Sequence, residues 1–161
     1  MCQQWEAAAQ PAADAGVPTA FLRTGVVMTP KGGALQKQLP LFKLALGGPF
    51  GSGTQYQSWI SIDDEVGAII HLLDGKVTGP VNLTAPNPVT SKEFAKTLGS
   101  VLGRPAIFPI PAFGPRLLLG REMADALLFE SQKIMPTVLE ASGFDFAHPD
   151  LETGLRAVLG K

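Results

Sequence analysis

The groups able to do chemistry in this chain are few and scattered. His71 sits beside Ile70 and Leu72 in an apolar helical stretch, and His148 precedes Pro149 in a loop, with no serine or carboxylate at a triad spacing. Cys2, the one cysteine, cannot close a disulfide within the chain, and two histidines do not complete a cysteine-based metal site with it. No catalytic residue and no metal site is therefore expected, and a reducing, cytoplasmic setting fits. Glu122, Asp125 and Glu130 lie at spacings of three and five, which do not bring them onto one helix face. What remains are binding groups. Lys31, Gln36, Lys37, Gln38 and Lys43 decorate one segment, where ammonium groups either meet a phosphate or carboxylate or form a solvated face. Gln57 and Trp59 flank a turn, and an indole offers apolar area with one N–H donor to a pocket wall or to a core.

The elements that must position these groups follow from periodicity and punctuation. Residues 2–15 read as one alanine-rich helix, kinked at Pro11 and ending near Gly16. Thr19 to Met28 is an apolar run of strand length that predicts a strand buried on both faces, within which Arg23 must find a carboxylate or several carbonyls. Leu35, Leu39, Phe42 and Leu46 predict a short helix inside a long loop, and Tyr56 to Ile62 alternates like a short strand. Asp63 or Asp64 is then expected to cap a helix whose core face is Val66, Ile69, Ile70 and Leu73.

A strand at Val81–Thr84 leads to a capping box, Thr90 with Glu93, and to a helix from Ser91 to about Leu102, with Val89 stapled onto Phe94 and Gly103 at the exit. Ala106 to Ile110 reads as a brief strand. Phe113–Leu119, Met123–Phe129, Thr137–Ser142 and Leu151–Leu159 read as short helices, and no internal repeat is visible. The alternation of strands and helices makes this an α/β chain with a small, mostly helical tail.

Composition removes whole classes of function. The 161 residues are 45% hydrophobic and 17% charged, enough for one ordinary domain with a real core. Thirteen basic and fourteen acidic residues leave a formal charge of -1, so neither nucleic acid nor an anionic membrane is an expected partner. The 18 glycines and 14 prolines follow no period, which excludes collagen-like and low-complexity readings. Apolar runs such as Ala68–Leu73 and Leu117–Leu119 are far too short to span a bilayer, and Met1 is followed by no basic segment and apolar signal core.

Three segments carry a resemblance. Leu22-Arg23-Thr24-Gly25-Val26-Val27, Ser58-Trp59-Ile60-Ser61-Ile62-Asp63-Asp64 and Gly79-Pro80-Val81-Asn82-Leu83-Thr84-Ala85-Pro86 resemble, in order and spacing, the second half of an extended short-chain dehydrogenase/reductase. Trp5-Glu6-Ala7-Ala8-Ala9, Pro30-Lys31-Gly32-Gly33-Ala34-Leu35, Gly47-Gly48-Pro49 and Gly51-Ser52-Gly53 resemble more narrowly the atypical epimerase family labelled nucleoside-diphosphate-sugar epimerase. Its poorly characterised C-terminal domain is suggested by Pro109-Ile110-Pro111-Ala112-Phe113, Met123-Ala124-Asp125-Ala126-Leu127-Leu128 and Gly143-Phe144-Asp145-Phe146.

The resemblance implies the second half of an NAD(P)-binding Rossmann-like fold. Residues 1–104 would be the partial Rossmann-like, substrate-side region and 105–161 the small C-terminal domain. Such proteins hold the dinucleotide pyrophosphate on a glycine-rich turn at a helix N-terminus in their first half. Gly51-Ser52-Gly53 follows no strand and is read as a flexible loop. The superfamily's tyrosine, whose proton transfer depends on a lysine four residues on, has no counterpart: the one tyrosine is Tyr56, and position 60 is Ile60.

NADP or NAD is accordingly expected only if an N-terminal half is supplied, with none bound by this chain alone. By the resemblance, Gly25, Val26, Val27 and Met28 pass the nicotinamide, while Lys31, Gln57 and Trp59 face the substrate, a sugar-nucleotide-like small molecule. The expected function is the substrate side of an NAD(P)-dependent epimerase or oxidoreductase, not catalytic by itself. The alternative is a stand-alone binding or interaction module without activity. In either case the Thr19–Met28 strand presents an apolar sheet edge through which the chain is expected to self-associate.

Overall fold

The computed structural model describes residues 2–107, 109–110 and 131–161. The helices expected at Phe113–Leu119 and Met123–Phe129, with Glu122, Asp125 and Glu130, lie outside the described residues. The N-terminal stretch is two helices rather than one, α1 (Cys2–Ala8) and α2 (Gln10–Asp14), because Pro11 cannot donate a helical hydrogen bond and is accommodated in the first turn of a new helix.

The strand at 19–28 divides in two, β1 (Ala20–Thr24) and β2 (Val26–Met28), with Gly25 between them. The Gly25 N–H donates to Leu83 O and the next N–H, of Val26, to Ser58 O. Successive N–H groups of an extended chain point to opposite edges, so the strand changes partner at this residue. β1 pairs in parallel with β5 (Gly79–Leu83), and β2 in parallel with β4 (Trp59–Ser61). A Cβ on Gly25 would stand 2.7 Å from Ser58 O and 2.9 Å from Thr84 Cγ2, so the crossing admits only glycine.

Tyr56 to Ser61 likewise breaks at Ser58, giving β3 (Tyr56–Gln57), antiparallel to β6 (Val89–Thr90), before β4. Of the strand expected at Ala106 to Ile110, residues 106, 107 and 109 are not in a strand, and Ile110 makes one parallel bridge with Phe50. Among the described residues β1 has no strand partner other than β5.

Helices pack on this framework in two clusters. The first joins Trp59 of β4 and Met28 of β2 to α3 (Gly33–Lys43), α5 (Ser91–Leu102) and α7 (Leu151–Leu159), through Leu35, Phe42, Phe94, Leu98 and Leu155. The second joins Ile60, Val81 and Leu83 to α4 (Ile62–Asp74) and to Leu139 of α6 (Thr137–Ala141). Helices from beyond residue 131 thus share their cores with elements from before residue 104.

α5 begins with the expected capping box and ends on left-handed Gly103. α4 is different. Its buried residues are Asp64, Glu65, Ala68 and Leu72, whereas Val66, Ile70 and Leu73 are exposed, Leu73 by 79%. Of the apolar stripe expected to face the core, Ile69 packs against the second cluster, while Val66, Ile70 and Leu73 face outward because the sheet lies on the neighbouring face of the helix. β1 is not buried on both faces either: Leu22 is 43% exposed, and of the run only Met28 is fully buried.

Candidate functional site

An open cleft of about 1070 Å³ lies along the strand that changes partners. Its floor is Ala20 to Val27. One side is Trp5 and Glu6 of α1, the other is Thr29 with the start of α3 at Gly32–Ala34, and the far end is Tyr56, Gln57 and Ser58 with Gln132 and Ile134.

The charges of the cleft cancel locally. Arg23 donates from Nε to Glu6 Oε1 at 2.8 Å and from Nη2 to Glu6 Oε2 at 3.0 Å, so the cation of β1 has found its carboxylate. The hydrogen bond from Arg23, reinforced by its charge, holds the Glu6 carboxyl below its ordinary range. Deeper in the wall, Thr24 donates to Glu65 Oε1 at 2.9 Å, while Glu65 Oε2 is buried without a partner. Burial pushes the Glu65 carboxyl up, against the opposing effect of the Thr24 hydrogen bond.

The far end is built by a strap, residues 131–135, laid along β3 and β5. Ser58 latches it, its hydroxyl donating to Gln132 O at 2.7 Å and accepting from the Ile134 N–H at 2.9 Å. The Gln132 N–H donates to Tyr56 O, the Tyr56 N–H to Ser131 Oγ, and Asn82 Nδ2 to Met135 O. Lys133 Nζ stands 5.0 Å from the centre of the Tyr56 ring, a cation–π contact. Gln132 and Ile134 were not singled out from sequence, since nothing local marks a segment that is fixed to a strand more than seventy residues earlier.

The expected site residues divide between this cleft and the interior. Gly25, Val26, Val27 and Gln57 line the cleft. Met28 is in the first core cluster. Trp59 is fully buried there, its indole N–H donating to Asn87 O at 2.9 Å, so its side chain is core and not cleft wall. A Cβ on Gly154 would stand 2.9 Å from the indole, which fixes how closely α7 approaches.

Lys31 is exposed beside the lining residues Thr29 and Gly32. Lys37, Lys43 and Gln36 are exposed too, but Gln38, grouped with them by sequence, is buried with its Oε1 unpaired. Gly51–Gly53 forms a hydrogen-bonded turn against the start of α5, with Lys92 N–H donating to Gly53 O.

Two local expectations are corrected. The cap of α4 is Ser61, whose hydroxyl oxygen accepts from Asp64 N–H; neither Asp63 nor Asp64 caps it. The Asp64 carboxylate instead accepts from Ser61 Oγ at 2.8 Å, Ala147 N–H at 2.7 Å and His148 N–H at 3.1 Å, tying the helix start to the loop before α7. His71 does meet a serine, Ser142, at 2.9 Å, but that hydroxyl donates to Leu139 O and so stitches α4 to α6 rather than forming a nucleophile. Among the described residues no group of His, Cys, Asp and Glu is placed to hold a metal ion, and no helix is long and apolar enough to cross a membrane.

Known proteins with this arrangement are consistent in kind. Residues 110–158 match a domain of unknown function, DUF1731. An epimerase family protein of Mycobacterium bovis is 43% identical over 149 residues, which is 92% of this chain and 49% of the relative. The chain is similar to the C-terminal half of proteins named epimerase family proteins. The structure of the human epimerase family protein SDR39U1 with NADPH superposes with a TM-score of 0.83 at 39% identity, over 89% of this chain and 48% of that one. The nucleoside-diphosphate sugar epimerase of Corynebacterium glutamicum superposes at 0.70 with 34% identity, over 99% of this chain and 30% of that one. The chain spans about half the length of the curated relatives it matches, and its fold matches the C-terminal part of their Rossmann-like α/β architecture.

Proposed function

We propose that this chain supplies the substrate side, and one wall of the nicotinamide site, of an NAD(P)-dependent epimerase or oxidoreductase, and is not catalytic by itself. The observation that carries the reading is that Gly25, Val26, Val27 and Gln57 share one cleft, in a half that superposes on a relative solved with NADPH.

The residues fit one face of such a cofactor. Gly25, Val26 and Val27 bring the backbone edge of a strand to the cleft, the two valine side chains packing toward opposite cores, while no free cation among the described lining residues waits for a pyrophosphate. When bound, the nicotinamide supplies a site for hydride exchange. This chain's residues shape its wall and keep water from it, and proton-transfer groups come from the preceding half of the protein. The isolated chain is proposed to self-associate through the outer edge of β1.

The test is to titrate NADPH fluorescence with the 161-residue chain and with a fusion of this chain to the preceding half of the human relative. The fusion is expected to bind and the chain alone not to. Hydrogen exchange in the fusion should slow at residues 24–27 on binding. A cooperatively folded fusion that ignores NADPH, or an isolated chain that binds it as well as the fusion, would sink the proposal.

A further inference from the structure

The open edge of β1 carries a fixed set of backbone groups. In a parallel pair the N–H and C=O of one residue point to the same edge, and successive residues alternate between edges. Gly79 N–H donates to Thr19 O and Gly25 N–H to Leu83 O, so residues 19, 21, 23 and 25 face β5. Val26 N–H, which donates to Ser58 O, marks the opposite edge. On that edge Ala20, Leu22 and Thr24 each present an N–H and a C=O, and no described strand pairs with them.

The two faces beside this edge differ. On the α4 side, Ala20 and Leu22 line an apolar groove of about 370 Å³ together with Leu73, and Thr24 donates to Glu65 of α4. Arg23 turns to the other face, where Glu6 of α1 holds it.

An unpaired edge is completed by another extended chain, and a second copy fits the pattern of this one. A two-fold axis lets identical edges pair only antiparallel, because parallel pairing needs a one-residue offset that the axis cannot supply. Centred on Leu22, the antiparallel register sets Ala20 against the partner's Thr24 and Leu22 against the partner's Leu22. All three outward residues of each copy are then paired, Phe21 faces the partner's Arg23, and no like charges oppose. Centred on Arg23 instead, two guanidinium groups would face each other. Centred on Phe21, Thr24 would face the partner's Pro18, which has no N–H to give.

We infer that a second copy of this chain docks along β1, antiparallel and centred on Leu22, so that β1 and β5 of both copies form one continuous sheet. The inference rests on the self-association proposed for the outer edge of β1 and names its register. Leu22 meets its own copy on the axis, and the two apolar grooves meet on the α4 side.

Sedimentation and disulfide trapping of the 161-residue chain test this. The wild type is expected to sediment as a dimer. In a Cys2→Ser background, Leu22→Cys should cross-link under oxidised glutathione, since a hydrogen-bonded antiparallel pair holds its Cα atoms about 5.5 Å apart. Ala20→Cys or Thr24→Cys alone should not, because each lies four residues from its own copy along the strands, about 14 Å away. The two mixed should cross-link to each other. Leu22→Lys sets two ammonium groups opposite one another and should weaken the dimer about tenfold, with an unchanged circular dichroism spectrum to separate this from unfolding.

A wild-type chain that sediments as a monomer would overturn the register and the association of β1 together. A dimer in which Thr24→Cys links to itself while Leu22→Cys does not, or one that Leu22→Lys leaves as tight as the wild type, would overturn the register alone. The cofactor reading stands or falls separately, on the NADPH titration of the fusion.

Discussion

The two sides of the central strands are finished to different degrees. Behind β4, the faces turned toward α5 and α7 are closed: Trp59 is fully buried, its N–H is paired, and Asp64 holds three hydrogen-bond donors from two separate parts of the chain. Along β1 and the outer face of α4 the same kinds of residue are left open. Leu22, Ile70 and Leu73 are exposed, and one oxygen of Glu65 is buried without a partner. The two sides share α4, whose inner face contributes to the core while its apolar outer face lies against nothing in the described chain. Packing is therefore concentrated on the α5/α7 side, and the β1 side is left open.

The largest expected break in this contrast is Trp59→Ala, which removes the centre of the first cluster and orphans Asn87 O. It should cost about 3–5 kcal/mol and abolish a cooperative melt. Tyr56→Ala, a few residues away in the cleft, should cost no more than about 1 kcal/mol. Equal losses in thermal unfolding would erase the distinction between the two sides.

Next comes Asp64→Ala, expected to destabilise by about 2–4 kcal/mol because the buried Asp64 carboxylate is the shared acceptor of the Ser61 hydroxyl and of the Ala147 and His148 N–H groups. Ser61→Ala, which removes the helix cap, should cost about 1 kcal/mol. If the two variants melted alike, Asp64 would be acting on α4 alone and not as the tie to the α7 loop.

The double substitution Leu22→Ser with Leu73→Ser tests the open side. It should change stability by about 0.5 kcal/mol or less, yet shift sedimentation of the isolated chain from oligomer toward monomer. A wild-type chain that already sediments as a monomer would remove β1 as an association edge.

The smallest effect concerns pH. Burial raises the Glu65 carboxyl, so the folded state holds its proton more tightly than the unfolded chain. That contribution is complete below the ordinary glutamate value and is lost as pH rises through the folded one. Glu65→Gln should thus gain on the wild type as pH rises above the ordinary glutamate range. Parallel stability curves for the two proteins would show that Glu65 titrates as it does in the unfolded chain.

Much of the framework was legible in the residues. The resemblance reached from Leu22-Arg23-Thr24-Gly25 and Trp59-Ile60-Ser61 led to the right half of the right fold, and the need of Arg23 for a carboxylate was met by Glu6. The cleft was only half legible. Gly25, Val26, Val27 and Gln57 line it, but Trp59 and Met28 turn inward, because alternation along a strand separates two faces without saying which one meets helices. Gln132 and Ile134 enter it through hydrogen bonds to Ser58, and no pattern within 131–135 announces that contact.

By itself the sequence determined what is decided within one turn of chain: the capping box of Thr90 with Glu93, the stop at Gly103, and the bounds of α5 and α7. Those features depend on residues three or four apart, whose geometry is fixed once the helix begins. Tertiary structure alone decided which face of α4 is buried, that Ser61 and not an aspartate caps it, that Asp64 reaches Ala147 and His148, and that Gln57 lines an open cleft. Each of these depends on where a distant backbone group comes to rest, and a helix or strand carries the same side chains whichever neighbour it meets.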